Sequence, residues 1–255
     1  MQDMLNTVLA ISQDASKKIL EVYNTDFSFE SKEDNTPLTL ADTASNEIIV
    51  SRLKESYSDI PILSEESADN VPKDAEYCWV VDPLDGTKEF IKKNGEFTVN
   101  IALVHNGSPI LGVIAVPVTG IVYLASKGNG AFKQENNTRT AIRVNDRTTD
   151  LVWVGSKSHS TEKEAHLINK KSHLIKEMIS AGSSLKGTMV AEGKADIYYR
   201  FGLTCEWDTC AMHCIVEEAG GIFLQMDGTK MLYNRENHLN EKGFFVVNRK
   251  ENIWV

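Results

Sequence analysis

One stretch of the sequence, residues 77–90, constrains the fold more than any other. Residues 77–81 are apolar and indicate a buried strand, and this strand runs directly into two aspartates, Asp82 and Asp85. A Gly-Thr turn follows. Carboxylates at the carboxyl end of a buried strand, next to backbone N–H groups freed by a glycine, can hold hard cations and a phosphate together. The sequence therefore predicts a metal site that serves phosphate chemistry.

The composition allows one large domain or two small ones. The chain has 255 residues, 42% of them hydrophobic and 25% charged, which is enough to bury a substantial core. Apolar runs such as residues 110–118 are too short to cross a bilayer, and residues 1–20 mix charges into a helical period without a signal-peptide core. We therefore expect a cytoplasmic protein without integral membrane contact, and peripheral contact at the inner membrane stays open.

The net charge of -9 argues against non-specific binding to nucleic acid, because phosphates demand a basic surface. Two explanations of the acidity stay open: a solvated acidic surface, or several carboxylates that bind cations. The four cysteines lack the regular spacing of a disulfide framework, so we expect reduced thiols in the core. A zinc site is disfavoured because no Cys-x-x-Cys knuckle occurs in its only candidate, which consists of Cys205, Cys210, His213 and Cys214.

The first part of the chain has helical periodicity. Apolar spacing predicts an amphipathic helix over residues 3–24 and a second helix that ends near residue 57, with Thr39 or Asp42 as its N-cap. A polar loop that carries Asp34 lies between them.

From residue 77 onward the period changes to that of strands. Turn signals separate short apolar segments and predict an antiparallel meander over residues 77–81, 98–104, 109–116, 121–125 and 131–133. After a polar region, strands and helices begin to alternate, which indicates an α/β second half. The polar region covers residues 134–150, and the alternating segments are 151–155, 161–169, 185–192, 196–200, 207–219, 222–225 and 244–247.

Acidic residues occupy several element ends where a structural role is hard to supply. Asp82 and Asp85 end a strand, Glu65 and Glu66 follow another short apolar run, and Asp208 begins a helix. Each has an ordinary explanation when taken alone, as a turn residue, a solvated pair or an N-cap. The combination favours a shared cation site, because a lone turn needs no carboxylate three residues upstream at the edge of a buried strand.

These motifs resemble those of the inositol monophosphatase superfamily of magnesium-dependent, lithium-sensitive phosphatases. The resemblance rests on Asp-Pro-Leu-Asp-Gly-Thr at 82–87, Glu-Glu at 65–66 and Trp-Asp-x-x-Ala at 207–211, and it spans most of the chain. Leu-Ser-Glu-Glu at 63–66, Lys-Glu-Phe at 88–90 and Glu-Trp-Asp at 206–208 are similar to the 3'(2'),5'-bisphosphate nucleotidase branch. That branch removes the 3'-phosphate of adenosine 3',5'-bisphosphate.

The resemblance implies a fold and a metal site. The implied fold is α+β, a layered α/β/α/β/α sugar-phosphatase fold with an antiparallel N-terminal sheet in a metal-binding domain, residues 1–140, and a smaller α/β substrate-binding domain, residues 141–255. The active site is expected between them. Two or more Mg²⁺ ions are implied, and oxygen ligands without histidine suit this ion. The implied ligands are Glu65, Asp82, the Leu84 carbonyl, Asp85 and Asp208.

The resemblance also implies catalytic and substrate-binding residues. Asp34 and Thr87 match the positions that handle the attacking water, and Glu65 is assigned to catalysis with them. Direct attack by a metal-activated water is favoured over a phosphoenzyme, since no cysteine or histidine nucleophile accompanies the loop. The residues expected to bind substrate are Glu65, Leu84, Asp85, Gly86, Thr87, Ser156, His159, Gly182, Lys186 and Asp208.

Three departures favour a nucleotide over inositol. Ser64, Lys88 and Phe201 stand where inositol-selective relatives usually carry glycine, threonine and a glutamate that grips a sugar hydroxyl. An aromatic residue in place of that acid favours a flat apolar group such as adenine, although a core role for Phe201 stays equally open. Gly182 precedes a predicted helix whose N-terminus favours an anion, and Lys186 adds a charge for the retained phosphate.

The predicted partner is therefore a small nucleotide bisphosphate, with no nucleic acid, and the oligomeric state stays open. Two other functions also stay open: an inositol or sugar monophosphatase with the same metal site, and a non-catalytic nucleotide-binding protein.

Overall fold

The computed structural model describes residues 1–25, 37–67, 71–157 and 161–255, and within them two β-sheets alternate with layers of helix. The helices are α1 (Gln2–Tyr23), α2 (Pro37–Ser56), α3 (Thr87–Ile91), α4 (Glu162–Lys171), α5 (Leu185–Ala191) and α6 (Glu206–Glu218). The strands are β1 (Ile62–Ser64), β2 (Tyr77–Asp85), β3 (Thr98–His105), β4 (Ser108–Val116), β5 (Ile121–Ser126), β6 (Ala131–Glu135), β7 (Thr138–Ile142), β8 (Leu151–Ser156), β9 (Ile175–Ala181), β10 (Ile197–Arg200), β11 (Ile222–Gln225) and β12 (Phe244–Val247).

The first sheet contains β1 to β7 side by side in chain order. All neighbours pair antiparallel except β1 and β2, which are parallel. Successive side chains of β2 point to opposite faces, as the pleat requires. Trp79 and Val81 pack with α1 and α2, whereas Cys78 and Val80 pack in the cluster that contains α6. The apolar run is continuous because helices cover both faces of this strand.

The second sheet has the order β11-β12-β10-β8-β9 and is mixed. Strand β8 pairs parallel with β9 and β10, and β12 pairs antiparallel with β10 and β11. Its inner face, with Val154 and Val246, belongs to the same core as α5 and α6. Its outer face carries Trp153 and Tyr199, which pack with Leu167 of α4.

The layers therefore run α1 and α2, first sheet, α5 and α6, second sheet, α4. The predicted α/β/α/β/α order and the antiparallel meander are confirmed, and the proposed division into domains at residue 140 stays a prediction. None of the described helices combines the length and the apolar character needed to cross a bilayer.

Several local predictions differ from the structure. Helix α2 begins at Pro37, so Thr39 and Asp42 lie inside it and neither is its N-cap. Strand β7 lies within the stretch predicted to be a polar region, and the sequence analysis predicted neither β9 nor α3. Both missed strands are at the edges of their sheets and expose most of their side chains, so they lack the apolar alternation that marks a strand.

Helix α6 lies at the centre of the molecule and contacts both sheets. Its approach to the first sheet depends on Gly112 of β4, where a Cβ atom would lie 2.4 Å from the backbone oxygen of Ala211. Helix α5 approaches α6 just as closely, because a Cβ on Gly187 would lie 2.0 Å from the sulfur of Met212. The approach of α6 to the first sheet is therefore a backbone contact that only glycine permits, whereas the neighbour of Gly187 is the flexible end of a methionine side chain.

We predict that Gly112→Ala destabilises the fold, because the new methyl group meets backbone and not a movable side chain. The free energy of unfolding should fall by about 2–3 kcal/mol, and the melting temperature by roughly 4–10 °C. Gly120→Ala is the control: no atom lies within 4 Å of its added methyl, so it should cost only the strain of a positive φ, about 1 kcal/mol. Equal losses in the two variants, measured by thermal and urea unfolding, would contradict the packing argument.

Candidate active site

The two aspartates of β2 share one face of the sheet because the strand contains a β-bulge. Asp82 pairs with Asn100 and Asp85 with Thr98, so three steps along β2 correspond to two steps along β3. In a regular strand, residues three apart point to opposite faces, and one extra residue reverses that parity. Leu84 shows the same reversal, since it packs on the α1 and α2 side together with Val81.

The bulge is held from within and from α2. The N–H of Leu84 donates to Asp82 Oδ1 at 3.0 Å, and the buried Ser45 hydroxyl of α2 donates to the carbonyl of Pro83 at 2.8 Å. These bonds use polar groups that the interrupted ladder leaves unpaired. The carboxyl group of Asp82 is thereby fixed in direction although it lies in an irregular segment.

Asp208 reaches the same point from α6. Its Oδ2 accepts a 2.6 Å hydrogen bond from the N–H of Cys205, the residue that precedes the helix, so the side chain is oriented by the start of α6. Carboxylate oxygens of Asp82, Asp85 and Asp208 all lie within 4.8 Å of one another. Three carboxyl groups at this separation repel one another when ionised unless cations intervene.

Glu65 joins this group from β1. Because β1 and β2 are parallel, with Ser64 opposite Val81, the residues that follow them lie at the same edge of the sheet. Partial burial raises the pKa of Glu65, and the neighbouring charge of Asp85 adds to that rise. Glu65 starts a short 3-10 turn on an exposed part of the chain, and its carboxyl group is therefore the one most open to solvent.

Asp42 of α2 also belongs to the site, although it was predicted only as a candidate N-cap of this helix. Burial raises its pKa to about 8, with further contributions from the charges of Glu66 and Glu65. Its Oδ1 atom is buried and has no hydrogen-bond partner among the described residues. An apolar-periodicity argument could not find this residue, since nothing in a helical pattern shows which polar residue faces a neighbouring strand end.

Mutual repulsion and burial dominate the electrostatics of these carboxyl groups. Burial raises the pKa of Asp208 to about 7, and the charge of Asp85 contributes in the same direction. Burial is also the main reason that the pKa of Asp82 lies well above its usual range, and the charges of Asp85 and Glu65 raise it further. A set of clustered carboxylate oxygens without histidine or cysteine has the donor chemistry that Mg²⁺ prefers. The residues present therefore fit a divalent cation.

Polar side chains from the neighbouring strand β3 and from the segment after β9 hold Asp85 in place. Its Oδ2 lies 2.9 Å from the hydroxyl of Ser184 and 3.2 Å from the amide nitrogen of Asn100. The Ser184 hydroxyl also lies 2.9 Å from the carbonyl oxygen of Asp208, so it connects β2 to α6. Burial raises the pKa of Asp85, and the Lys186 ammonium and these hydrogen bonds oppose that rise.

A cavity of about 320 Å³ opens beside Asp85 and Asp208. Its walls come from both halves of the chain, since Gly86 and Thr87 follow β2 and Ser156 ends β8. The remaining lining residues are Lys88, Glu89, Gly182, Ser183, Lys186, Tyr198, Arg200, Leu203, Thr204, Thr209, Met212 and Phe244. A cavity of this size can hold a small ligand.

Two cations stand in the wall of the cavity supplied by α5 and β10. The Lys186 ammonium is buried, donates to the carbonyls of Ser183 at 2.5 Å and Ala181 at 3.3 Å, and lies 5.6 Å from the ring centre of Tyr198. Burial lowers its pKa to about 8 although the charge of Asp85 opposes the shift. Arg200, which the sequence analysis did not select, is the second cation. No local sequence pattern marked it, because it ends an ordinary buried strand.

The structure brings most of the predicted residues to this one place. Glu65, Asp82 and Asp208 surround Asp85, and the cavity beside them includes the other described candidates apart from Leu84, whose N–H faces Asp82. The predictions for Asp34 and His159 lie outside the described residues.

Two alternatives from the sequence have different outcomes. Phe201 packs against the core on the outer face of the second sheet and is not among the residues that line the cavity. Among the described residues, Asp82, Asp85 and Asp208 form the only group of His, Cys, Asp or Glu side chains that could hold a metal ion. The zinc alternative therefore has no support in that part of the chain. Cys210 and Cys214 are buried, and burial raises the pKa of both thiols.

Comparison with known proteins places the chain in a family. Residues 1–252 match the family model described as the inositol monophosphatase family. The chain belongs to the inositol monophosphatase family. Within this family it is 41% identical over 249 residues to a 3'(2'),5'-bisphosphate nucleotidase CysQ from Salmonella typhimurium, covering 96% of this chain and 99% of the relative. A second relative of the same name, from Escherichia coli strain K12, is 41% identical over 242 residues and covers 93% of this chain and 97% of its own length.

Solved structures of the inositol monophosphatase family agree with the fold described above. The crystal structure of CysQ from Bacteroides thetaiotaomicron has a TM-score of 0.86 and 39% sequence identity, covering 96% of this chain and 98% of that one. An inositol monophosphatase from Zymomonas mobilis shares the fold with a TM-score of 0.82 at 22% identity, covering 99% of this chain and 95% of that one.

We predict that divalent cations stabilise this protein through the acidic cluster. At about 100 times its Kd, a cation that binds only the folded state adds about 2.7 kcal/mol of stability, which corresponds to roughly 5–10 °C in melting temperature. Asp82→Asn should raise the melting temperature in metal-free buffer, because it removes one repelling charge, and should reduce the shift on adding Mg²⁺. Asp227→Asn, an exposed partner of Lys242, is the control and should keep the full Mg²⁺ shift. A full shift in Asp82→Asn as well would place the cation elsewhere.

Proposed function

We propose that this protein is a Mg²⁺-dependent 3'(2'),5'-bisphosphate nucleotidase that hydrolyses the 3'-phosphate of adenosine 3',5'-bisphosphate to AMP and phosphate. The observation that carries the proposal is a cavity with an acidic cluster at one side and two buried cations at the other. The names of the relatives that are 39–41% identical over nearly the whole chain point the same way. A cytoplasmic location is part of the proposal.

The acidic side of the cavity suits the phosphate that is cleaved. Glu65, Asp82, Asp85, Asp208 and the carbonyl of Leu84 would hold the Mg²⁺ ions. Bound there, the ions would lower the pKa of an attacking water and stabilise the charge on the departing ribose oxygen. The carboxylates themselves supply the negative charge that keeps the ions in place, and Ser184 and Asn100 hold Asp85 in position.

The basic side suits the phosphate that is retained. Lys186 keeps an ordinary positive charge at neutral pH, because its pKa of about 8 is still above 7. Together with Arg200 it gives the cavity wall a charge that a second phosphate would neutralise. A monophosphate of inositol has no group for this wall, which is why the bisphosphate is favoured.

The amide groups after the bulge suit the transferred phosphoryl group. Gly86 has φ of +99°, which turns the chain sharply so that the backbone of Gly86 and Thr87 faces the cavity. Thr87 is exposed there and lines the cavity, and its proposed role is to orient the attacking water. Asp42, at the edge of the acidic cluster, is a second candidate beside Asp34 for the carboxyl group that accepts the proton of that water.

The described lining of the cavity contains neither cysteine nor histidine. This supports attack by water over a covalent intermediate on one of those residues. This feature does not separate the nucleotidase from an inositol or sugar monophosphatase, since that reaction would use the same acidic cluster.

We expect a substrate panel to separate these functions. With Mg²⁺ present, kcat/KM for adenosine 3',5'-bisphosphate should exceed that for inositol 1-phosphate and fructose 1,6-bisphosphate by at least about 100-fold. Inositol 1-phosphate has no second phosphate for the basic wall, and fructose 1,6-bisphosphate, which has one, lacks the nucleoside named in the activity of the relatives. Removal of Mg²⁺ with a chelator should abolish phosphate release. A clear preference for inositol 1-phosphate would overturn the nucleotidase assignment, and no turnover of any ester would favour a nucleotide-binding protein.

We also expect Asp85→Asn to abolish turnover without unfolding the chain. The substitution keeps the shape of the side chain but removes the charge that holds cations, so kcat should fall by about 1,000-fold or more. Circular dichroism and thermal unfolding should show a folded protein. Asp59→Asn, which removes an exposed acid away from the cavity, is the matched control and should retain full activity. A near-normal rate in Asp85→Asn would contradict a cation-dependent reaction at this site.

A further inference from the structure

Glu96 bridges the two sides of the active-site cavity. It lies between α3 and β3, in the half of the chain that carries Asp82 and Asp85. Its Oε1 pairs with the Lys157 ammonium at 2.6 Å, and its Oε2 accepts the N–H of Gly182 at 2.8 Å. Lys157 follows β8 directly and Gly182 follows β9 directly. One carboxylate therefore holds the ends of two adjacent parallel strands of the second sheet.

The contact at Gly182 is a close approach of backbone to backbone. A Cβ atom there would lie 2.6 Å from both the carbonyl oxygen of Glu96 and the Cγ of Glu89, so only glycine fits. A Cβ on Gly86 would lie 3.2 Å from Ser183 Cβ and from the backbone of Phe97. These two glycines allow the segment after β9 to pack directly on the segments that flank the acidic cluster.

The segment after β9 is strained and is held at several points. Ser183 has φ of +42°, a conformation that residues with a side chain adopt rarely. Glu96 binds the start of the segment through the N–H of Gly182, and Lys186 donates to the carbonyl of Ser183. At the other end, Ser184 is bound to Asp85. A strained segment keeps its conformation only when its surroundings fix it. Glu96 supplies the fixing point at the start of this segment, directly after β9.

We propose that Glu96 is a positioning residue that determines specificity for a bisphosphate, a proposal that rests on the function proposed above. By tying Lys157 and Gly182 to the first half of the chain, it sets the distance between the acidic cluster and the wall that carries Ser156 and Lys186. A substrate that spans both sides needs this distance to be fixed. An ester that reaches only the acidic cluster does not, so the two kinds of substrate respond differently to loss of Glu96.

The test is a comparison of Glu96→Ala, Glu96→Gln and Lys157→Gln. Glu96→Ala should raise KM for adenosine 3',5'-bisphosphate by about tenfold with kcat changed less than about twofold, as expected for loss of a charge-assisted hydrogen bond that orders a binding segment. Glu96→Gln, which keeps an oxygen for Gly182 but loses the charge opposite Lys157, should raise KM by about threefold, and Lys157→Gln by a similar factor. Glu96→Ala with Lys157→Gln should be no worse than Glu96→Ala alone, because the two residues act through one contact.

Three measurements distinguish positioning from a general loss of structure. KM and kcat for p-nitrophenyl phosphate, and the Mg²⁺ concentration that gives half-maximal activity, should stay within about twofold of wild type in Glu96→Ala. Asp227→Ala, which breaks the exposed pair with Lys242, should change none of these values. Equal effects of Glu96→Ala on both substrates, or an unchanged KM for the bisphosphate, would overturn the proposal.

Hydrogen exchange tests the positioning without any substrate. Amide exchange measured by mass spectrometry should accelerate in peptides that contain residues 180–186 when Glu96 is replaced by alanine, and should not change there in Asp227→Ala. If the wild-type protein fails to hydrolyse adenosine 3',5'-bisphosphate, the proposed function fails while this measurement still decides the role of Glu96. Unchanged exchange in residues 180–186 would overturn that role.

Discussion

The repulsion among carboxyl groups collected at the end of one buried strand is the constraint on which the rest of the structure depends. Asp82 and Asp85 belong to β2, Asp208 to α6 and Glu65 to the turn after β1, and burial raises the pKa of each. Such a cluster costs stability unless a cation is bound, so the fold has to hold the carboxyl groups together by other means. The layers on both sides of the first sheet provide that support.

The support differs between the two sides of the first sheet. On the α1 and α2 side, Ser45 fixes the bulge, and Asp42 adds a further acid. On the other side, Ser184 connects Asp85 to α6, and the same segment leads to Lys186. The elements that brace the acidic cluster are thus the elements that carry the opposite charge. The segment that begins at Ser184 contacts the acidic cluster and continues to Lys186, so the negative and positive walls of the cavity lie close together.

The sequence predicted those features that depend on local chemistry. The apolar run of β2, the helical period of α1 and α6, and the turn signals of the meander each leave a direct trace, and the layered fold is confirmed. Edge strands such as β7 and β9 show no such pattern, because their solvent-exposed positions tolerate almost any polar side chain. The same holds for the site, because Asp82 and Asp85 could be predicted from the local sequence motif that contains them.

Asp42 and Arg200 could not be selected in that way. Each lies within an ordinary element, and only the packing of that element against its neighbours brings Asp42 close to Glu65 and Arg200 into the cavity wall. The wrong N-cap prediction for α2 has the same origin, because Asp42 lies inside the helix and its neighbours are the carboxyl groups of Glu65 and Glu66, far along the chain. Long-range packing decides such roles, and a single sequence records it only indirectly.

The bulge in β2 has a consequence for how this protein can change during evolution. Side chains of a strand alternate, so adding or deleting one residue between Asp82 and Asp85 would turn the second carboxylate toward α1 and away from the cavity. The length of the two-residue spacer is therefore constrained independently of the side chains that it carries.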